Sequence, residues 1–332
     1  MESYATNTTW AEIADRIRGG RRIALVTHAK PDGDALGSQL ALARALSEPG
    51  RTADVYVMGP LEHALAEVIA DTPVHRADDR LPGDDHDLVI VVDTGAWSQL
   101  QPLETWLRER RERTIVIDHH SHGDDVAALR MVDPGAAATA QMIVSLLDEL
   151  GCALTEDVAE ALYVGIATDT GWFRFDNVSA QTFAVAARLL ECGVDKSRLY
   201  QVLEENYPPG RLALEARALA SVQYARDGAV AIQSLSLDDF QQTGCAVEDL
   251  TNLVNRPMVV GKVRVSILLS ESKAGVTKLS FRSKPTADGS DWTDVNRLAR
   301  QFGGGGHVFA AGARMSLSLA EARRAVLAAV EG

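Results

Sequence analysis

Three apolar runs in the first half of the chain each give way to His or Asp. These are 22–27 (RIALVT), 88–92 (LVIVV) and 114–117 (TIVI). His28, Pro31, Asp32, Gly33 and Asp34 follow the first, Asp93 the second, and Asp118, His119 and His120 the third. Continuous Val/Ile/Leu runs read as strands covered on both faces, which is the pattern of a parallel sheet. Helical spacing at 35–46, 61–70, 138–150 and 156–167, and a further strand at 53–58, complete an α/β alternation with helices on both faces of the sheet. Ligands of open parallel sheets bind outside the carboxyl ends of the strands. One rim therefore collects His28, Asp32, Asp34, Asp93, His119 and His120. Asp169, just past the last helical pattern, makes a seventh group.

Four carboxylates gathered on such a rim repel one another and lose hydration, so the arrangement calls for cations. The donors are carboxylate oxygen and imidazole nitrogen without thiolate. That set suits Mn²⁺, with Mg²⁺, Co²⁺ or Zn²⁺ admitted. Seven groups exceed one ordinary site, and two ions sharing a carboxylate is the economical reading. Paired divalent ions suit hydrolytic phosphoryl transfer. A single Asp after a strand is more often a helix cap, and Asp34 taken alone reads as the cap of the following helix. The joint pattern outweighs that reading.

Composition excludes several classes. Lys plus Arg number 33 and Asp plus Glu 46 in 332 residues, a formal net charge of −13. A broad basic grip on long nucleic acid is not expected. Cys152, Cys192 and Cys245 are odd in number and far apart, which argues against a disulfide framework or a CxxC zinc site. The N-terminal stretch lacks the apolar core of a secretory leader, and 134–147 is too short an uncharged stretch to span a bilayer. A cytoplasmic protein without a membrane partner is expected.

The second half reads differently. Helical patterns at 182–191, 212–220 and 319–330 accompany strand patterns at 229–234, 263–270 and 278–282. This is expected to be a smaller α+β domain. Asn206-Tyr-Pro-Pro-Gly210 resists both helix and strand. The expected division is a catalytic domain at 1–195, a linker at 196–214 and a second domain at 215–332. Gly303 to Gly306, followed by His307, reads as an anion-binding loop whose successive N–H groups face a phosphate. Arg282 offers a planar fork beside it.

These motifs carry a family resemblance. His28-Ala-Lys-Pro-Asp-Gly-Asp-Ala-Leu-Gly-Ser38, Val92-Asp-Thr-Gly95, Asp118-His-His120 and Gly165-Ile-Ala-Thr-Asp-Thr-Gly171 resemble, in order, the four motifs of the DHH phosphoesterase superfamily. Phe281-Arg-Ser283, Asp294-Val-Asn296 and Phe302-Gly-Gly-Gly-Gly-His-Val-Phe-Ala-Ala-Gly312 resemble the DHHA1 substrate domain, in the form found in nano-RNases that also dephosphorylate pAp. The resemblance implies one ion on His28, Asp32 and Asp93, and a second on Asp34, Asp93, His119 and Asp169, with Asp93 bridging. It implies that His120 faces the scissile phosphate and that Asp118 orients a neighbouring His. Arg282, Ser283, Gly305, Gly306 and His307 would hold the substrate from the second domain, with the active site in the cleft between domains. Implied substrates are very short oligoribonucleotides, pAp, and linear or cyclic dinucleotides such as pApA and c-di-AMP, but no long nucleic acid.

Within the same superfamily a pyrophosphatase or exopolyphosphatase is the alternative. The glycine run and the scarcity of Lys in the second half weigh against it. A catalytically idle nucleotide sensor has no need of seven metal-site groups. The oligomeric state, a homodimer included, is left open. Packing is the expected role of Trp172, Phe173, Trp292, Phe302 and Phe309. A solvated helix face is expected for 108–113 (RERRER), and His63, His86 and His122 match no motif.

Overall fold

Alternation along the strands decides the layers of the first half. In the computed structural model, which describes residues 4–286, 289, 292–306 and 308–331, the chain divides into two units, 1–206 and 207–332. The first holds strands β1 (Arg22–Ala29), β2 (Thr52–Met58), β3 (Val74–Arg76), β4 (Leu88–Val92), β5 (Thr114–Asp118) and β6 (Leu129–Val132). They form one parallel sheet in the order β3-β2-β1-β4-β5-β6. Its helices are α1 (Trp10–Gly19), α2 (Gly33–Leu46), α3 (His63–Ile69), α4 (Glu104–Arg108), α5 (Thr139–Leu150), α6 (Glu156–Asp169), α7 (Ala180–Glu191) and α8 (Lys196–Glu204).

Ile23 and Leu25 of β1 enter a core with α1, α2, α5 and α6. Ala24 and Val26 enter another with Leu100, Leu103, Trp106 and Leu107. Both faces are thus covered, and every β4 and β5 residue is buried. The strand order reverses between β1 and β4, and a crevice opens at such a reversal.

Several elements escape hydrophobic periodicity. β3 has three residues, two of them exposed, and β6 (LRMV) is interrupted by Arg130. α1 buries only Ile13, Ala14 and Ile17, behind an N-cap in which Thr9 accepts from the Glu12 amide. The stretch 196–214 is largely helical, not extended linker. Pro208 caps α9 (Pro209–Ala220) and Pro209 is its first residue, where a missing N–H leaves no bond unmade. In 108–113, Arg110 is buried: it lies over the Trp106 ring, donates to the Trp106 carbonyl and pairs with Asp84. Only part of that run is a solvated face.

The second unit adds β7 (Gln223–Ala225), β8 (Val230–Leu235), β9 (Val265–Lys273), β10 (Val276–Ser283), β11 (Gly305–Gly306) and β12 (Ala310–Met315), with α10 (Leu237–Thr243), α11 (Val295–Arg300) and α12 (Leu319–Glu331). The sheet order is β11-β12-β10-β9-β8-β7. β8 and β9 pair in parallel and the other neighbours antiparallel. Residues of β10 alternate strictly, so Thr277, Leu279, Phe281 and Ser283 are buried while Arg282 is half-buried on the other face. Phe302 stacks on Phe281 at 6.2 Å. Among the described residues no helix is long and apolar enough to cross a membrane.

Candidate metal centre

His28 ends β1, Asp93 follows β4, and Asp118, His119 and His120 end or follow β5, so the three segments meet at the strand reversal. The two carboxylate oxygens of Asp93 face different partners. Oδ2 lies 3.5 Å from Nε2 of His28, which is 3.8 Å from Asp32 Oδ1. Oδ1 lies 3.5 Å from Nε2 of His119, which is 3.7 Å from Asp169 Oδ2 and 3.9 Å from Asp34 Oδ2. Two donors on one divalent ion, each about 2.1 Å from it, stand about 3.0–3.5 Å apart. These spacings are long for hydrogen bonds and close to that separation. His28-Asp32-Asp93, Asp34-His119-Asp169 and Asp93-His119-His120 could each hold a metal ion, their donor atoms lying within 4.8 Å of one another.

Both histidines are oriented for that purpose. Nδ1 of His119 sits 3.3 Å from the Ala136 carbonyl and Nδ1 of His28 sits 3.1 Å from the Ala29 carbonyl. A carbonyl at Nδ1 selects the tautomer with its proton there, leaving the Nε2 lone pair for the carboxylate cluster. Asp93 holds φ +63° and Lys30 φ +59°, left-handed conformations uncommon outside glycine. Such backbone turns concentrate at functional sites.

Close helix packing supplies the remaining carboxylates. A Cβ at Gly37 of α2 would meet the Ala161 carbonyl of α6 at 2.4 Å. A Cβ at Gly165 of α6 would meet Ala140 Cβ at 2.5 Å and Asp34 Oδ1 at 2.9 Å. These two glycines let α2, α5 and α6 approach until Asp34 and Asp169 share one site. The helix cap is Asp32, not Asp34: its Oδ1 accepts from the Asp34 and Ala35 amides. Asp34 is 1% exposed and accepts from the amides of Thr139 and Ala140 at 2.6 and 2.8 Å, so it serves the first turn of α5 instead. Thr139 Oγ1 also donates to Asp93 Oδ1 at 3.0 Å. Sequence reasoning misses Thr139, since a Thr inside a helical pattern carries no mark of its distant partners.

The electrostatics describe a cluster that retains protons unless a cation replaces them. Burial, with the charges of Asp34 and Asp32, pushes Asp169 up to about 8. Burial above all pushes Asp34 and Asp93 up as well. Burial opposes a charged His28, but Asp32 and Asp93 outweigh it and lift that imidazole to about 11. The donor chemistry and spacing fit divalent metal ions.

His120 stands apart from these ligand pairs. Asp118, fully buried, accepts at Oδ1 from the His120 amide (3.1 Å) and ring Nδ1 (2.8 Å). Oδ2 of the same carboxylate accepts from the Tyr4 hydroxyl at 2.6 Å. Burial raises the Asp118 pKa, but His120 and Tyr4 more than offset it and hold the carboxyl below its usual range. Burial lowers and Asp118 raises the pKa of His120, which ends at about 9. Tyr4 lies outside every motif, and no local signal in the sequence marks it.

Among the unmatched histidines, His86 is buried against Asp54 and the Gly83 carbonyl, and His122 is held by Ser121. Trp172 donates to Glu204 and packs on Tyr200, while Phe173 stacks on Phe183. The three cysteines are free.

In the second unit, Arg282 pairs with Ala310 in the β10–β12 ladder. Its guanidinium donates to the Phe281 carbonyl, and burial lowers its pKa. No acidic partner of Arg282 occurs among the described residues. Ser283 is buried, its hydroxyl 3.3 Å from the Val308 carbonyl. The glycine run differs from a row of free amides. Gly303 and Gly304 donate to the carbonyls of Arg300 and Ala299, and Gly306 donates to Asn296 Oδ1. Gly305 and Gly306 form the short β11. A Cβ at Gly304 would meet the Gly312 carbonyl at 2.1 Å, so tight strand packing accounts for glycine there. His307 lies outside the described residues. Trp292 and Phe309 are 55% and 43% exposed, contrary to the packing expected of them.

Comparison with known proteins agrees with this geometry. Residues 22–166 match the DHH family, N-terminal domain, and residues 227–332 match the DHHA1 domain. A Thermus thermophilus protein named bifunctional oligoribonuclease and PAP phosphatase NrnA is 34% identical over 326 residues, covering 96% of this chain and 92% of that one. A Bacillus subtilis protein of the same name is 28% identical over 294 residues, covering 88% of each chain. The crystal structure of an exopolyphosphatase-related protein from Bacteroides fragilis has the same fold, with a TM-score of 0.90 at 24% identity, covering 97% of this chain and 95% of that one. The chain described here belongs to the DHH family and carries a DHHA1 domain.

Proposed function

We propose that this chain is a metal-dependent phosphoesterase. It hydrolyses very short oligoribonucleotides such as pApA to nucleoside 5′-monophosphates, and it removes the 3′-phosphate of pAp to give AMP. The division of the Asp93 oxygens between two donor groups carries this reading. Likeness to the Thermus protein over nearly the whole chain supports the choice of substrate.

His28, Asp32 and Asp93 would hold one divalent ion, and Asp34, Asp93, His119 and Asp169 a second, with Mn²⁺ the best match to mixed Asp and His donors. Bound divalent ions supply Lewis acidity that activates water and neutralises phosphoryl charge. Thr139 fixes the rotation of the Asp93 carboxylate through Oδ1. Asp118 holds the His120 ring by Nδ1, which leaves Nε2 to donate a proton toward a phosphoryl oxygen. Tyr4 in turn fixes Asp118. Arg282, Ser283, Gly305, Gly306 and His307 are assigned to the substrate side of the second unit. The partly buried cation of Arg282 is the anchor for a terminal phosphate.

The test is incubation with Mn²⁺ and, separately, pApA, pAp, c-di-AMP and pyrophosphate, with an EDTA control. AMP from pApA and orthophosphate from pAp, both lost in EDTA, are expected. Orthophosphate from pyrophosphate alone would sink the reading in favour of a pyrophosphatase. Turnover of c-di-AMP would extend the substrates to cyclic dinucleotides.

A further inference from the structure

The net charge conceals a division between the two units. Residues 1–206 carry 18 Lys and Arg against 34 Asp and Glu, whereas residues 207–332 carry 15 against 12. The acidity that argues against a nucleic-acid grip belongs to the first unit. The second is mildly basic, and part of its positive charge lines one pocket.

That pocket has a volume of about 530 Å³ and is lined by Arg226, Arg264, Arg297, Trp292, Asp294 and Gln301, among others. Small-ligand sites span about 300–1,000 Å³. Among the described residues none of the three guanidinium groups pairs with a carboxylate. Arg264 is steadied by the Gly261 and Val263 carbonyls. Arg226 sits in a turn where it, Asp227 and Gly228 hold φ of 48°, 52° and 89°. Side chains other than glycine seldom occupy that region, and here the turn carries a cation to the rim. Asp294 is engaged at its Oδ1 by the amides of Asn296 and Arg297. The indole of Trp292 is more than half exposed.

The pocket is distinct from the glycine run. Asp294, Arg297 and Gln301 recur at helical spacing along α11 and line the pocket. Asn296, about 100° round the helix, accepts from Gly306 instead.

We propose that this pocket binds single-stranded RNA, its arginines on backbone phosphates and the Trp292 ring against a base. Planar guanidinium groups match phosphate oxygens, and an exposed aromatic face stacks any base without regard to sequence. Gln301 adds a side chain able both to donate and to accept at a base edge or a 2′-hydroxyl. The choice of RNA rests on the proposed oligoribonuclease activity. The site would engage nucleotides that pAp does not possess.

The experiment uses the full chain in EDTA, which prevents hydrolysis, and follows the anisotropy of 3′-fluorescein penta-adenylate. Wild type is compared with Trp292→Ala and with the double variant Arg264→Ala/Arg297→Ala. Each is expected to raise Kd about tenfold, in line with the loss of one stacked base. The double variant should also flatten the dependence of log K on log salt, by about 0.7 for each phosphate no longer neutralised. Thermal midpoints and Mn²⁺-dependent hydrolysis of pAp should stay at wild-type values. Failure of wild type to bind the pentamer, or unchanged Kd in both variants, overturns the proposal. A parallel fall in pAp hydrolysis by correctly folded variants also overturns it, because the pocket would then belong to the catalytic site. Wild type that binds penta-adenylate through these residues yet cleaves neither pApA nor pAp would leave this inference standing and remove the proposed function.

Discussion

The Tyr4 hydroxyl donates to Oδ2 of Asp118 at 2.6 Å across 114 residues of sequence, while Oδ1 of the same carboxylate takes His120. The segment around Tyr4 runs beside β6: Thr6 Oγ1 both donates to and accepts from the Val132 backbone, and Asn7 does the same with Arg130 through its amide and Oδ1. The sheet edge is thereby covered, and the phenol is delivered to the rim. The ring fits because two neighbours lack side chains. A Cβ at Gly95 would lie 2.0 Å from the Tyr4 oxygen, and one at Gly123 would lie 2.5 Å from the ring.

Tyr4→Phe keeps the ring and removes only the hydroxyl. Asp118 Oδ2 then loses its donor in a buried setting, a change that costs about 1–3 kcal/mol. The thermal midpoint should fall. With pAp as substrate, kcat should drop several-fold at nearly constant KM, because His120 loses its fixed orientation while the groups that bind substrate are untouched. In a double-mutant cycle with Asp118→Asn the two effects should be strongly non-additive. Additive losses would mean that Tyr4 acts by packing alone.

Gly37→Ala tests the close approach of α2 and α6. The added methyl would meet the Ala161 carbonyl at 2.4 Å, and backbone gives way less readily than a flexible side chain. Overpacking of this kind costs about 1–3 kcal/mol. Because Asp34 and Asp169 ride on the two helices, Mn²⁺ affinity should fall together with the thermal midpoint. Ala at Gly151, which has φ +72° and open space around its Cβ position, should lower stability alone. Equal effects of the two substitutions on metal affinity would refute the packing argument.

The rim could be read from sequence because its residues follow buried strands whose apolar runs are unambiguous, and six of its seven groups lie within a few residues of a strand end. The rest depended on tertiary partners. Whether Asp32 or Asp34 caps α2 turns on which carboxylate the amides of α5 capture. Tyr4, in a polar stretch before α1, reveals nothing until the strand beside it is known. The glycine run resembles an anion loop locally, yet its amides are taken up by α11 carbonyls and Asn296. β3 and β6 are hidden because edge strands are short and partly polar.

Asp93→Asn separates metal binding from folding. Asn tolerates the left-handed φ of +63° as Asp does, so the turn after β4 should survive. The substitution removes a buried acid whose pKa is pushed well up by burial and by Asp34. In EDTA the variant should therefore unfold at or above the wild-type midpoint, and Mn²⁺ should add little to it. Hydrolysis of pAp should fall by orders of magnitude. Wild-type turnover in Asp93→Asn would refute the bridging role of its carboxylate.

Proton competition gives the last prediction a sign. In the metal-free protein Asp169 holds its proton to about pH 8 and His28 to about pH 11, both above their ordinary values. A folded state that binds more protons than the unfolded chain loses stability as pH rises. For Asp169 that loss spans about pH 4 to 8, and for His28 about pH 6.5 to 11. Metal ligands must be deprotonated, so Mn²⁺ displaces these protons and binds more tightly as pH rises. The metal-free midpoint should therefore fall between about pH 6 and about pH 8 while the increment added by Mn²⁺ grows. Thermal unfolding at several pH values, with and without Mn²⁺, reads both slopes, and calorimetry in buffers of different ionisation enthalpy counts the protons released. A Mn²⁺ increment that shrinks with rising pH would show that these carboxylates and His28 are not the groups the metal displaces.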